Sequence, residues 1–191
     1  YDDKYALKPW LKICLQAIVI SFAFFNGIRI EFITWPAYMQ PIFFSPIISF
    51  IITQIWMIII INMFNIIDGI DGLGVGISCL TSIVLFFVSL SVSPIFISYL
   101  ICTIIGSTGM FLKFNFYPAK IFLGDSGALL LGYLFAICSI LGVLKSTVSF
   151  TILLFVFAIP LMDLVLSIIR RMLKRKNIFN PDLEHIHHQL V

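Results

Sequence analysis

Long stretches without charge constrain this chain more than anything else in it. No Asp, Glu, Lys or Arg falls between Glu31 and Asp68, between Asp71 and Lys113, or between Asp125 and Lys145. A hydrocarbon layer about 30 Å thick is crossed by about 20 helical residues. Apolar runs of that length predict about six spans, near residues 10–26, 44–65, 73–92, 94–112, 127–144 and 148–169. The chain is 61% hydrophobic and 11% charged, whereas a soluble domain is roughly half apolar and about a quarter charged. Helices that are apolar all round leave no polar face for water, so the surrounding solvent is lipid.

The fold class expected is therefore an all-α polytopic membrane protein. The link 27–43 departs from the pattern, because Arg29-Ile30-Glu31-Phe32 alternates polar with apolar residues and Pro36 and Pro41 then interrupt the chain. It predicts a short extended hairpin at the membrane surface. No second domain or internal repeat is evident. A start at Tyr1 followed by Asp2-Asp3 reads as a piece of a longer protein, so residues 1–191 are expected to be one integral-membrane unit, incomplete at the N-terminus and also at the C-terminus. Cys14, Cys79, Cys102 and Cys138 lie in separate apolar segments without metal or redox spacing and read as packing or lipid-facing residues.

The placement of charge says more than the net +3. With six spans, the chain start, the links near 66–72 and 113–126, and the tail from 170 share one face. That face carries Lys4, Lys8, Lys12, Lys113, Lys120, Arg170, Arg171, Lys174, Arg175 and Lys176, against only Arg29 and Lys145 opposite. The positive-inside rule makes it cytoplasmic and puts the hairpin on the extracytoplasmic side. All three histidines and the acidic residues outside the spans, except Glu31, follow the same parity. Acidic groups are disfavoured beside an anionic leaflet, so their gathering there points to a polar site for a charged, metal-bound ligand.

Four segments supply that site. Asp2 and Asp3 precede Lys12 where the first apolar run begins, an arrangement that would also suit a plain helix start. Asn62, Asn65, Asp68 and Asp71 recur at every third residue at the end of an apolar helix. At 3.6 residues per turn such groups drift by about 60° per step and fan across a cavity wall. Gly69, Gly72, Gly74 and Gly76 then allow close backbone approach to a ligand. Hard oxygen donors favour Mg²⁺, which takes one or two protein groups and leaves its other positions to water and phosphate. A helix end with Asn and Asp caps and a glycine turn is the plainer reading, although capping needs one such residue rather than four.

The third segment, from Lys113 through Asn115, Phe116, Tyr117, Lys120 and Phe122 to Asp125, offers aromatics for stacking, cations for phosphate and a carboxylate for metal. An interfacial aromatic belt with a helix cap at Asp125 or Ser126 has the same composition. The tail holds His185, His187 and His188 beyond its basic stretch; no ligand set for zinc surrounds them, so they read as donors to a sugar or diphosphate, or as part of a lipid-binding tail. Asp163, three residues after Pro160 inside the last span, is costly there unless it faces the site or is paired.

Together, Asp2-Asp3 with Lys12, the run Asn62 to Gly72, the run Asn115 to Gly127 and His185-Ile186-His187-His188 resemble the polyprenyl-phosphate N-acetylhexosamine-1-phosphate transferase family. Within it they are most similar to the bacterial undecaprenyl-phosphate N-acetylglucosamine 1-phosphate transferases. The resemblance implies a catalytic unit in the inner, cytoplasmic membrane that passes an amino-sugar 1-phosphate from a UDP-sugar to undecaprenyl phosphate, releasing UMP. That would be a first step of cell-envelope polysaccharide assembly, such as lipopolysaccharide or teichoic acid. It implies Mg²⁺, with Mn²⁺ as an alternative, held by Asn65 and Asp125. Asp2, Asp3, Lys12 and Asp68 take catalytic places, Lys12 as a diphosphate contact. Asp71, Asn115 and Phe122 hold the uridine, and His185, His187 and His188 form the sugar-recognition loop.

The partners so implied are a UDP-amino sugar, a polyprenyl phosphate lipid and the membrane, with no nucleic acid and with a homodimer left open. Related phospho-muramoyl-pentapeptide transferases end in a triple histidine, which Ile186 interrupts here. A non-enzymatic membrane carrier is the rival from another class, and it predicts polar groups at the bilayer midplane rather than at one surface.

Overall fold

Every backbone N–H and C=O within hydrocarbon needs a partner from the protein, and a helix supplies nearly all of them from its own chain. In the computed structural model, which describes residues 8–34, 41–69, 71–92 and 94–143, the long apolar runs are helices. They are α1 (Pro9–Phe25), α2 (Pro46–Ile67), α3 (Leu73–Val92), α4 (Ile95–Asn115) and α5 (Gly124–Cys138), the last continuing into a π-helical turn at Ser139–Val143. Four stretches are long and apolar enough to cross a membrane, namely α2, Leu73–Ser91 of α3, α4 and Gly124–Gly142. The apolar α1 is shorter at 17 residues. The span near 148–169, Asp163, the Asp2-Asp3 pair and the histidine tail lie outside the described residues.

The helix boundaries have local causes. Pro9 opens α1, and Asn26 ends it by donating its side-chain N–H to the carbonyl of Phe22 at 2.8 Å before Gly27, at φ +92°, turns the chain. α2 begins two residues later than the apolar run, with Pro46 in its first turn and the Ser45 hydroxyl accepting from the Ile48 N–H. It also runs two residues further, through Ile67, which keeps Asn65 helical and makes Asp68 the C-cap. α5 starts three residues before the expected span, placing Asp125 in its first turn, where a carboxylate suits the positive helix end. Between α1 and α2, β1 (Phe32–Thr34) pairs antiparallel with β2 (Pro41–Phe43), setting Phe32 opposite Phe43.

α3 lies along α4, α2 along α5, and α1 against α2. The core, which also takes in Ile20, Leu85, Ile97, Ile101 and Ile104, includes the α2–α5 seam, where Met57, Ile60, Ile61, Met63 and Phe64 lie with Phe135, Ala136 and Cys138. The Phe64 and Phe135 rings stack with centroids 4.7 Å apart. Lipid tails are as apolar as these side chains, so close packing rather than water exclusion drives such contacts. Gly132 shows how close: a Cβ there would stand 2.7 Å from the Ile61 Cα.

A polar ladder fixes α1 on α2. The amides of Gln16 and Asn62 bond to each other, with Asn62 donating to Gln16 at 2.8 Å. Gln54 donates to the Ser21 hydroxyl at 2.8 Å, and Thr53 and Ser49 hold the backbone of Ile30. Each such bond inside a membrane contributes about 0.6 kcal/mol on average, so the set matters more than any member.

Gly132→Ala is expected to push α5 off α2 at a cost of about 1–3 kcal/mol, and to lower the melting temperature of the detergent-solubilised protein. Gly106→Ala, where an added Cβ meets nothing within 4 Å, should leave it unchanged. Equal melting temperatures for wild type and Gly132→Ala would contradict this close crossing.

Candidate active site

The polar groups gather at one end of the bundle. Asn65 sits on the last turn of α2, Asp68 is its C-cap, and Asp71 follows in the turn to α3. Asn115 closes α4, Phe122 lies in the link between α4 and α5, and Asp125 opens α5. These six residues line one cavity of about 270 Å³. Asn62, the first of the every-third-residue run, faces α1 instead, as a drift of about 60° per step requires.

Two loops form the walls and are clipped together by side chains. Gly72 turns at φ +75°, and its N–H donates to the Asn115 side-chain oxygen at 3.1 Å. Asn115, only 3% exposed, also donates to the carbonyl of Ile121 at 2.9 Å. Asp71 accepts from the Ala119 N–H at 3.1 Å. Asp71 and Asn115 thus hold the 116–123 link over the end of α2, while Phe122, 70% exposed, stands at the cavity mouth.

Lys12 reaches this end from α1. Its ammonium donates to Asp125 Oδ2 at 2.6 Å, joining residues 113 positions apart. Lys12 also heads a groove of about 320 Å³ lined by Leu15, Val19, Ile61, Leu129, Leu130 and Tyr133. Asp68 has its carboxyl pushed up from the ordinary 3.8 to about 6, first by burial and then by the negative charge of Asp125. Asn65 Oδ1 is buried and, among the described residues, has no hydrogen-bond partner.

These features fit a hard cation. An unsatisfied buried amide oxygen costs about 1–3 kcal/mol, and a divalent ion beside Asn65 would satisfy it while relieving the repulsion between Asp68 and Asp125. Among the described residues no three His, Cys, Asp or Glu side chains form a metal cage. The donors suit an ion such as Mg²⁺, which keeps water and phosphate in most of its positions. Asp2, Asp3, His185, His187 and His188 lie outside the described residues.

The family model for glycosyl transferase family 4 matches residues 1–143 of the chain. The chain belongs to glycosyl transferase family 4. Among relatives of this family 4 chain, a Bacillus subtilis (strain 168) protein named "Probable undecaprenyl-phosphate N-acetylglucosaminyl 1-phosphate transferase" is 37% identical over 100% of the chain and 53% of its own length. A Thermotoga maritima undecaprenyl-phosphate alpha-N-acetylglucosaminyl 1-phosphate transferase is 33% identical over 98% of the chain and 55% of its own length. An Escherichia coli (strain K12) protein with the same name is 27% identical over 100% of the chain and 53% of its own length. The family 4 chain spans about half the length of these curated relatives.

Two features escaped the sequence. Gln16 lies one turn after Lys12 and anchors α1 to Asn62, but a glutamine in an apolar run carries no spacing signal. Gly74 was expected to admit a ligand; instead its missing Cβ makes room for Asp68, since a Cβ would lie 2.7 Å from that carboxylate oxygen.

Because burial raises the folded Asp68 carboxyl to about 6 from 3.8, the folded state holds its proton more tightly than the unfolded state does. Stability of metal-free protein should therefore fall as pH rises from about 4 through 6. Thermal melts across that range should show this fall flattened in Asp68→Asn, and an unchanged slope in the variant would count against the buried carboxyl.

Proposed function

We propose that the full-length protein transfers N-acetylglucosamine 1-phosphate, or a related amino-sugar 1-phosphate, from a UDP-sugar to undecaprenyl phosphate and releases UMP. One observation carries this reading: an apolar bundle of family 4 brings Asn65, Asp68, Asp71, Asn115, Phe122 and Asp125 onto one cavity at one end, with Lys12 on Asp125. The names borne by its relatives agree with it. We place that end at the cytoplasmic face of the inner membrane, where Lys and Arg gather. The span near 148–169 is taken as the sixth, and the 27–43 link as an extracytoplasmic hairpin.

In this reading an oxygen of the carrier phosphate attacks the sugar-bearing phosphorus of the UDP-sugar, the bond to the UMP oxygen breaks, and UMP leaves. One phosphoanhydride replaces another, so the free energy lies near zero and the reaction is reversible. Catalysis then rests on positioning two anions and offsetting their charge. Asn65 and Asp125 would hold Mg²⁺, which when bound neutralises developing charge on the phosphates. Lys12 would contact diphosphate, and Asp68 takes a catalytic place on the cavity wall where metal, diphosphate or sugar would be close. Phe122 at the mouth offers a face for the uracil ring, on the walls braced by Asp71 and Asn115. Beyond Lys12 and Gln16 the groove is lined by apolar and aromatic side chains and suits a prenyl tail whose phosphate lies at the ammonium. Asp2 and Asp3 complete the phosphate end, and His185, His187 and His188 cover the sugar.

A carrier function is disfavoured by the position of the charges, since the described spans hold no ionised group at their centres. The relatives' names favour N-acetylglucosamine over phospho-muramoyl-pentapeptide.

Membranes containing the full-length protein should convert UDP-N-acetylglucosamine and undecaprenyl phosphate to lipid-linked sugar and UMP in the presence of Mg²⁺. Asp125→Asn should lower turnover at least about a hundredfold at every Mg²⁺ concentration, the loss of several kcal/mol of charge stabilisation. UDP-sugar uptake without UMP release would favour a carrier; near-normal turnover in a folded Asp125→Asn protein would reduce Asp125 to a helix cap.

A further inference from the structure

We propose that Lys12 is the resident counter-ion of Asp125 and competes with a divalent cation for that carboxylate. The proposal rests on reading the cavity as a cation site and adds a second duty to Lys12, beyond contact with phosphate. Lys12 Nζ lies 2.6 Å from Asp125 Oδ2, on the carboxylate that closes the cavity holding Asn65 and Asp68. An ammonium and a divalent ion on one carboxylate repel strongly, so occupancy by one lowers occupancy by the other.

The pair is built for exchange rather than for permanence. Its side chains are 22% and 42% exposed, so water can replace either partner, and an ion pair of this kind contributes little to stability. The helix behind Lys12 is fixed, because Gln16 and Ser21 of α1 are bonded to Asn62 and Gln54 of α2. Movement is thereby confined to the four-carbon stem, which has apolar surface beside it at Leu15, Leu129 and Leu130. A phosphate arriving at the groove head draws the ammonium away and takes its repulsion off a cation at Asp125. The cation site is therefore weak while no phosphate is bound, and Lys12 links the two ligands.

Divalent-free, substrate-free, full-length protein titrated with Mn²⁺, with free Mn²⁺ read by electron paramagnetic resonance, tests this without any turnover. Lys12→Met keeps the stem and removes the charge, and should lower the Mn²⁺ Kd about fivefold, the upper range for a partly exposed pair. Lys12→Arg restores the cation and should bind Mn²⁺ as wild type does. Unchanged or weaker Mn²⁺ binding in folded Lys12→Met would overturn the competition, as would absence of Mn²⁺ binding in all three proteins. A fivefold gain in a protein that transfers no sugar phosphate would support the competition and remove the transferase reading, so the two fail separately.

Discussion

An unpaired backbone group costs several kcal/mol in hydrocarbon, and this constraint shapes the rest of the molecule. Regular backbone fills the spans, and irregular backbone is pushed to their ends. The turn holding Asp71 and Gly72 and the link at 116–123 lie at such ends: Asn115 and Asp71 accept from Gly72 and Ala119 between the two, and Asn115 donates to Ile121 within the second. The cavity is the space left between two loops that cannot enter the bilayer.

Depth and breadth of that cavity follow from helix packing. Gly132 lets α5 lie directly on the backbone of α2, and this contact sets Asp125 near Asn65 and Asp68. The ladder of Gln16, Ser21, Gln54 and Asn62 holds α1 on α2 beside α5, so that Lys12 meets Asp125. Two seams on one helix therefore align groups more than a hundred residues apart. Electrostatics completes the picture: Asp68 and Asp125 repel, Lys12 offsets Asp125, and Asn65 Oδ1 has no partner among the described residues.

The fold was legible where a physical rule acts locally. Charge-free length located the four spans of the described residues, and α3 matches its expected bounds of 73 and 92. The ends of α2 and α5 moved by two or three residues because Pro46, Ser45 and the Gly124 turn set them rather than hydropathy. Around the cavity, Asn65, Asp68 and Asp71 stood out by residue type and interval and Asp125 as the carboxylate of its segment, whereas Asn115 and Phe122 took a role only through family resemblance. Partners could not be read the same way. The Lys12–Asp125 pair depends on where α1 and α5 cross, and nothing in either segment encodes that crossing alone. The bonds of Asp71 to Ala119 and of Asn115 to Gly72 and Ile121 join loops distant in sequence, and no spacing in either segment encodes them.

The central claim is that these side chains form a single cation site at the end of the bundle. Anomalous scattering from crystals of the full-length protein grown with Mn²⁺ and UMP tests it most directly. The account predicts a peak about 2.1 Å from oxygens of Asn65 and Asp125, the distance expected for a hard divalent ion of this size. A peak held by the histidine tail, or one remote from both Asn65 and Asp125, would contradict it.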